Sequence, residues 1–166
     1  MHRHGYIAPF YAFNRPANTT QYAQNELVAN SATAADVVPL SWNVDPIGGR
    51  GKIVAVRLFT DNEAVTAAIF NLHIFREDPG VPTNGDNGAY SVASVRQLLA
   101  TVALDLSSGA TVSSTDKMER IALSTPIVFQ VPPENRVLYG LLSTGTSGTY
   151  TPISGEIFEV TLEIEA

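Results

Sequence analysis

The chain has 166 residues, 10 Lys+Arg against 16 Asp+Glu for a formal net charge of -6, no Cys, 12 Gly and 10 Pro, and 45% of it is hydrophobic. That length is one domain, able to bury roughly 70% of its unfolded surface without a disulfide or structural metal. The missing thiols exclude cysteine nucleophiles, thiolate zinc and dithiol redox chemistry, while the acidic balance argues against nucleic acid and anionic membranes as partners.

The first 20 residues differ from the rest. Tyr6, Phe10, Tyr11 and Phe13 are crowded into a segment broken by Gly5, Pro9 and Pro16, with Arg3 and Arg15 as its only formal charges. A disordered leader is polar and poor in aromatics, so this one reads as an extended arm that must bury its rings on something. The something is either another subunit or the edge of the chain's own sheet. The expected division is an arm at 1–20 and a β domain at 21–166, with Arg3, His4, Tyr6, Phe10, Tyr11, Phe13 and Arg15 as partner-contacting residues. Pro9, Asn14 and Arg15 interrupt any apolar run of signal-peptide length, and no stretch reaches the roughly 18–20 apolar residues of a membrane helix. The expectation is a soluble protein made in a cytoplasm.

From residue 50 onward apolar residues alternate with period 2 and helical spacing is nearly absent, which predicts an all-β protein. Strands are predicted at 52–59, with Val54, Val56 and Leu58 on one face, and at 68–76, with Phe70, Leu72 and Ile74 on one face. Residues 98–106 set Leu98, Ala100, Val102, Leu104 and Leu106 against Leu99, Thr101, Ala103 and Asp105. At the C-terminus Phe158, Val160, Leu162 and Ile164 form a core face, and Glu159, Thr161, Glu163 and Glu165 a solvated one. Shorter strands are predicted at 22–29, 37–44, 118–123, 127–131 and 136–143. Turn chemistry bounds them at 45–49, 78–80, 84–88, 107–109, 132–135 and 145–148. Residues 89–99 can hold at most one helical turn. Eight or nine short strands at this spacing imply a closed barrel or a two-sheet sandwich.

Catalytic patterns are weak. There is no Gly-x-Ser-x-Gly elbow for Ser143 or Ser147, and Gly145 to Gly148 lacks the Lys and following helix of a phosphate loop. Glu77-Asp78 and the Glu159/Glu163/Glu165 row are strand or turn neighbours, not carboxyls facing each other across a cleft. Asn84-Gly85-Asp86-Asn87-Gly88 is rich in oxygen ligands but lacks calcium-loop spacing, so it reads as a tight turn. His2 and His4, at i and i+2, could bind a metal only with a third ligand, and read instead as solvated or stacking residues of the first segment. His73, on the strand face with Ile69 and Asn71, suits an interface better than a general base. No catalytic residue, metal or cofactor is assigned. Eight of the ten cations are Arg, the cation best suited to protein interfaces, which points to an assembly or binding module.

The block Gly51-Lys52-Ile53-Val54-Ala55-Val56-Arg57-Leu58-Phe59-Thr60-Asp61, then Ala67 to Phe75, then Asn84-Gly85-Asp86-Asn87-Gly88-Ala89-Tyr90, resembles the tailed-bacteriophage capsid cement, or decoration, proteins. The shared pattern is a strand ending in Asp, a strand of the form Phe-x-Leu-x-Leu-Phe, and an Asn-Gly-Asp-Asn-x-Ala-Phe loop, with Tyr90 in the aromatic place. The resemblance covers residues 50–165. It implies a jelly-roll sandwich of about eight strands and a non-enzymatic virion protein without cofactor. It further implies a protein that binds major capsid proteins on the head exterior as a homo-dimer or homo-trimer, stabilising the shell. The competing expectation is a carbohydrate- or receptor-binding module of a phage tail or cell surface, with Trp42, Tyr90 and Tyr150 as the aromatic candidates. In either case Trp42, His73, Tyr90 and Tyr150 are the domain's candidate interface or ligand residues. A hydrolase on the same scaffold is a third alternative, for which no nucleophile and base can be paired.

Overall fold

A computed structural model describes residues 5–64, 68–93, 95–146 and 149–166. Its strands are β1 (Tyr6–Ile7), β2 (Phe10–Asn14), β3 (Leu27–Val28), β4 (Leu40–Asn43), β5 (Arg50–Thr60), β6 (Ile69–Phe75), β7 (Leu98–Asp105), β8 (Ala110–Thr111), β9 (Lys117–Gln130), β10 (Val137–Thr144) and β11 (Ile157–Glu165). Two 3-10 turns, Ala34–Asp36 and Asp45–Ile47, flank β4. Residues 89–99, where one helical turn was the most expected, hold no helix among the described residues.

The pairing is antiparallel throughout and forms two sheets. One has the order β1-β11-β5-β9-β8, with β2 also on β11; the other has the order β3-β10-β6-β7, with β4 also on β10. Taking β1 with β2 and β3 with β4 as single interrupted strands, and β8 as a satellite, the eight strands run 1-8-3-6 and 2-7-4-5. Two sheets whose neighbours are mostly distant in sequence are the double Greek key of a jelly roll. The all-β sandwich expected from alternation is therefore present.

The core lies between the sheets. Phe158, Val160, Leu162 and Ile164 from β11 meet Phe70, Leu72 and Ile74 from β6 and Val102, Leu104 and Leu106 from β7 and its end, all buried. Rings organise the centre: Phe158 stacks on Phe13 at 5.8 Å and meets Phe70 edge-on at 5.4 Å. On β5 the core residues are Ile53, Val56 and Leu58, where alternation from Leu58 predicted Val54. Val54 has no partner in either flanking ladder, because a bulge there shifts the register against β9 and β11. One extra residue flips the strand's inward set.

Other elements also depart from expectation. The two predicted strands at 118–123 and 127–131 are one 14-residue strand, β9, running through Pro126 at the sheet's rim. The segment at 22–29 shrinks to Leu27–Val28 plus a single bridge from Tyr22 to Tyr150. Gly140 is required where it stands: a Cβ there would lie 2.6 Å from the buried Trp42 ring.

The first segment takes the second of its two expected courses, the edge of the chain's own sheet. Described residues 6–14 are the first strand of the jelly roll, β1 lying on Ile164 and Glu165 and β2 on Ile157 to Thr161 of β11. Phe13 is a core residue, and Arg15 is buried just beyond it. Residues 5–16 are thus part of the domain and cover the edge of β11.

Candidate interaction surface

A sandwich has two outer faces, and here they differ. The connection from β6 to β7 lays Tyr90 and Val92 back over the outer face of the β3-β10-β6-β7 sheet. There they pack with Leu27, Ala29, Val37, Phe75, Leu141 and Tyr139 into a second small core. Tyr90 stacks on His73 with ring centroids 4.1 Å apart and planes 10° from parallel. His73 in turn sets Nε2 2.9 Å from Ser143 Oγ and Nδ1 3.0 Å from Thr101 Oγ1. Burial pushes the imidazole down to about 4 and the Tyr90 phenol up to about 12, so both are neutral near pH 7.

The root of this strap is a buried charge. Asp86, in the Asn84 to Gly88 turn, takes Arg15 Nη2 at 2.8 Å, the Tyr22 hydroxyl at 2.5 Å and the Ala29 amide at 2.9 Å. Both side chains of the ion pair are fully buried. Gly85 lets the turn close, since a Cβ there would sit 2.1 Å from the Ala32 carbonyl. A buried pair of this kind fixes which parts meet, here the end of the first strand, the Tyr22 to Ala29 segment and the strap.

The outer face of the β1-β11-β5-β9-β8 sheet carries no such cover in the described residues. Cross-strand register places Tyr6, Phe10, Arg57, Phe59, Arg120, Val128 and the β11 glutamates on it. Val128 is 77% exposed, Phe10 63% and Tyr6 58%. At its centre Glu163, expected to be solvated, is only 6% exposed. It receives Arg120 Nε at 2.8 Å and Arg120 Nη2 at 2.5 Å, with Arg57 Nε 3.2 Å away. These hydrogen bonds from Arg120 hold the Glu163 carboxyl below the usual carboxylate range.

The predicted site residues therefore divide. Arg3 and His4 lie outside the described residues, as do His2 and Ser147. Tyr6 and Phe10 point outward on the bare face, whereas Tyr11 packs against the core, Phe13 lies in it, and Arg15 is spent on Asp86. Trp42, proposed as interface or ligand surface, is fully buried and donates Nε1 to the Val160 carbonyl at 3.0 Å. Tyr150, proposed likewise, is buried against Tyr22 and donates to Glu156, which also takes hydrogen bonds from Thr60 and Asn62. His73 and Tyr90 sit against each other under the strap. Arg57, Arg120 and Val128 were missed as surface residues, although strand alternation already put them on the outward side, and Glu163, read onto the solvated face, was missed only as the centre of an ion-pair cluster.

The Ser143 and His73 contact resembles part of a nucleophile and base pair. Ser143 is 1% exposed, the second imidazole nitrogen meets a hydroxyl instead of a carboxylate, and Tyr90 caps the ring. That arrangement offers a substrate no approach. Among the described residues no group of three His, Asp or Glu is placed to hold a metal ion.

No family model and no curated relative matches the chain. Among solved structures, the chain is similar to a chain of the Israeli acute paralysis virus full particle, at 13% identity over 98% of this chain and 72% of that one, with a TM-score of 0.36. It is similar to a chain of Mud Crab Dicistrovirus at 9% identity over 97% of this chain and 68% of that one, TM-score 0.28. A third is the xylan-binding domain from CBM 22, at 10% identity over 97% and 85%, TM-score 0.26.

Proposed function

We propose that this chain is a structural virion protein, a cement or decoration protein that docks on the exterior of a capsid and stabilises contacts between major capsid proteins. The observation that carries the reading is the asymmetry of the sandwich: one outer face is closed by the chain's own strap, and the other presents exposed Tyr6, Phe10 and Val128 around the Arg57, Glu163 and Arg120 cluster. Aromatic residues and arginine are enriched at protein interfaces, and a bare sheet face of that composition is a docking surface. The motif block shared with the tailed-phage cement proteins supplies the kind of partner. Each copy buries a modest area, and the symmetry of the shell converts modest contacts into retention through effective concentration.

The carbohydrate-binding alternative loses its platform. Trp42 and Tyr150 are inside the sandwich, and the Tyr90 ring is occupied by His73. The test is co-sedimentation of the purified chain with heads assembled from the major capsid protein encoded nearest this reading frame. Chain at a fixed copy number per head supports the proposal; chain left at the top of the gradient contradicts it.

A further inference from the structure

The bare face differs in charge from the rest of the molecule. Strand register gives it Arg50, Lys52, Arg57 and Arg120 against Glu159, Glu163 and Glu165. That is four of the nine cations among the described residues with three of the sixteen carboxylates, so a face of about zero to slightly positive charge sits on a chain of net charge -6.

Within it, the guanidinium groups are unequally used. Glu163 gives its two oxygens to Arg120 as a two-pronged pair. Arg57 Nε, 3.2 Å from Glu163 Oε1, is buried without an aligned acceptor. One carboxylate thus serves two guanidinium groups, each of which offers five donors in a planar fork. A buried donor left without an acceptor favours any ligand that supplies one. Beside the cluster stand Phe10 and Tyr6, whose hydroxyl also hydrogen-bonds Glu163 and whose ring, like that of Phe10, is exposed to apolar contact.

We propose that this face takes an acidic segment of its partner, a carboxylate entering between Arg57 and Arg120 while Tyr6 and Phe10 cover the apolar residues next to it. The inference rests on the docking face assigned above and names the chemistry of what docks there. A second copy meeting this face with its own would set one slightly positive face against another with no gain in charge complementarity; an acidic segment supplies the opposite charge, and binds arginine forks bidentately.

The experiment follows by NMR the titration of the full chain, uniformly labelled in nitrogen and carbon, against three ten-residue peptides alternating Leu with Asp, Asn or Lys. The Asp peptide shifts Arg57, Arg120, Tyr6 and Phe10 signals, and the other two do not. Arg57→Gln weakens that binding at least tenfold. Glu163→Gln, which removes the internal competitor, tightens it severalfold, a gain that a damaged fold cannot give. Equal binding of the Asn or Lys peptide, shifts on another surface, or no gain in Glu163→Gln overturns the proposal. So does self-association of the chain that Arg57→Gln abolishes, which assigns the face to a second copy. Peptide binding without head binding upholds this inference and removes the virion reading; head binding indifferent to Arg57→Gln removes this inference alone.

Discussion

The two outer faces of the sandwich are built from the same kind of strand and meet opposite fates. On the β3-β10-β6-β7 sheet, His73, Phe75, Leu141 and Leu27 point away from the main core, yet a strap tied down by Asp86 turns that face into a second core. On the β1-β11-β5-β9-β8 sheet, Phe10, Tyr6 and Val128 point away from the core and stay exposed, with Arg57, Glu163 and Arg120 between them. Outward apolar residues on a strand therefore do not define an interface by themselves. What decides is whether the chain supplies its own cover, and among the described residues it does so on one side only.

That contrast predicts stability effects concentrated on the strapped side. The largest belongs to Asp86→Ala, which orphans Arg15 in the interior and removes an acceptor from Tyr22. A loss of about 3–5 kcal/mol is expected, read by chemical denaturation. Truncation of residues 1–16 acts in the same direction: it removes Phe13, Arg15 and the edge cover of β11, so it yields no cooperatively folded domain.

Acid comes next. His73 has a folded pKa lowered to about 4 from an unfolded value of about 6.5, so the unfolded state binds more protons between those values. Stability is then complete above about pH 6.5 and falls as pH drops towards 4, by at most about 3 kcal/mol, with no further loss from this group below that. Because Glu156, whose carboxyl pKa is raised by burial, adds stability as pH falls, the His73 contribution is read as the difference in denaturant midpoint between the parent chain and His73→Gln. A difference that stays flat from pH 6.5 to 4 contradicts the burial of His73 under Tyr90.

Tyr90→Ala removes the stacked ring and opens the strap. It costs about 2 kcal/mol and moves the His73 titration, followed by NMR, up towards its ordinary value. The smallest effect falls on the bare face, where Phe10→Ser changes stability by no more than about 0.5 kcal/mol. The same substitution lowers occupancy on heads, and that pairing of an unchanged midpoint with a lost partner is what separates the two faces.

Much of the fold was legible in the sequence because period-2 alternation is a direct image of the pleat. The core faces of β6 and β11, and of β7 from Val102 onward, read correctly from it, but past the bulge opposite Ile74 and Phe75 the expected inward Leu98 is exposed and Leu99 packs against the core instead. The errors have a common cause in contacts between residues far apart in the chain. Nothing local to Val54 announces a bulge that depends on β9 and β11 together. Arg15 looks like a surface cation until Asp86, 71 residues away, is folded against it. The aromatic first segment was read as an arm because its partner strand, β11, is the last in the chain, so no hairpin links the two. The Glu163 row was visible as the polar side of β11, but its depth comes from Arg57 and Arg120 on neighbouring strands.

Cryo-electron microscopy of heads carrying the bound chain tests the central claim most directly, because it shows which side of the sandwich meets the shell. The expected view has the β1-β11-β5-β9-β8 sheet facing the capsid, with Tyr6, Phe10, Arg57 and Arg120 in the contact and the Tyr90 strap turned to solvent. A sandwich bound through its strapped face, with Phe10 and Val128 left in solvent, contradicts it.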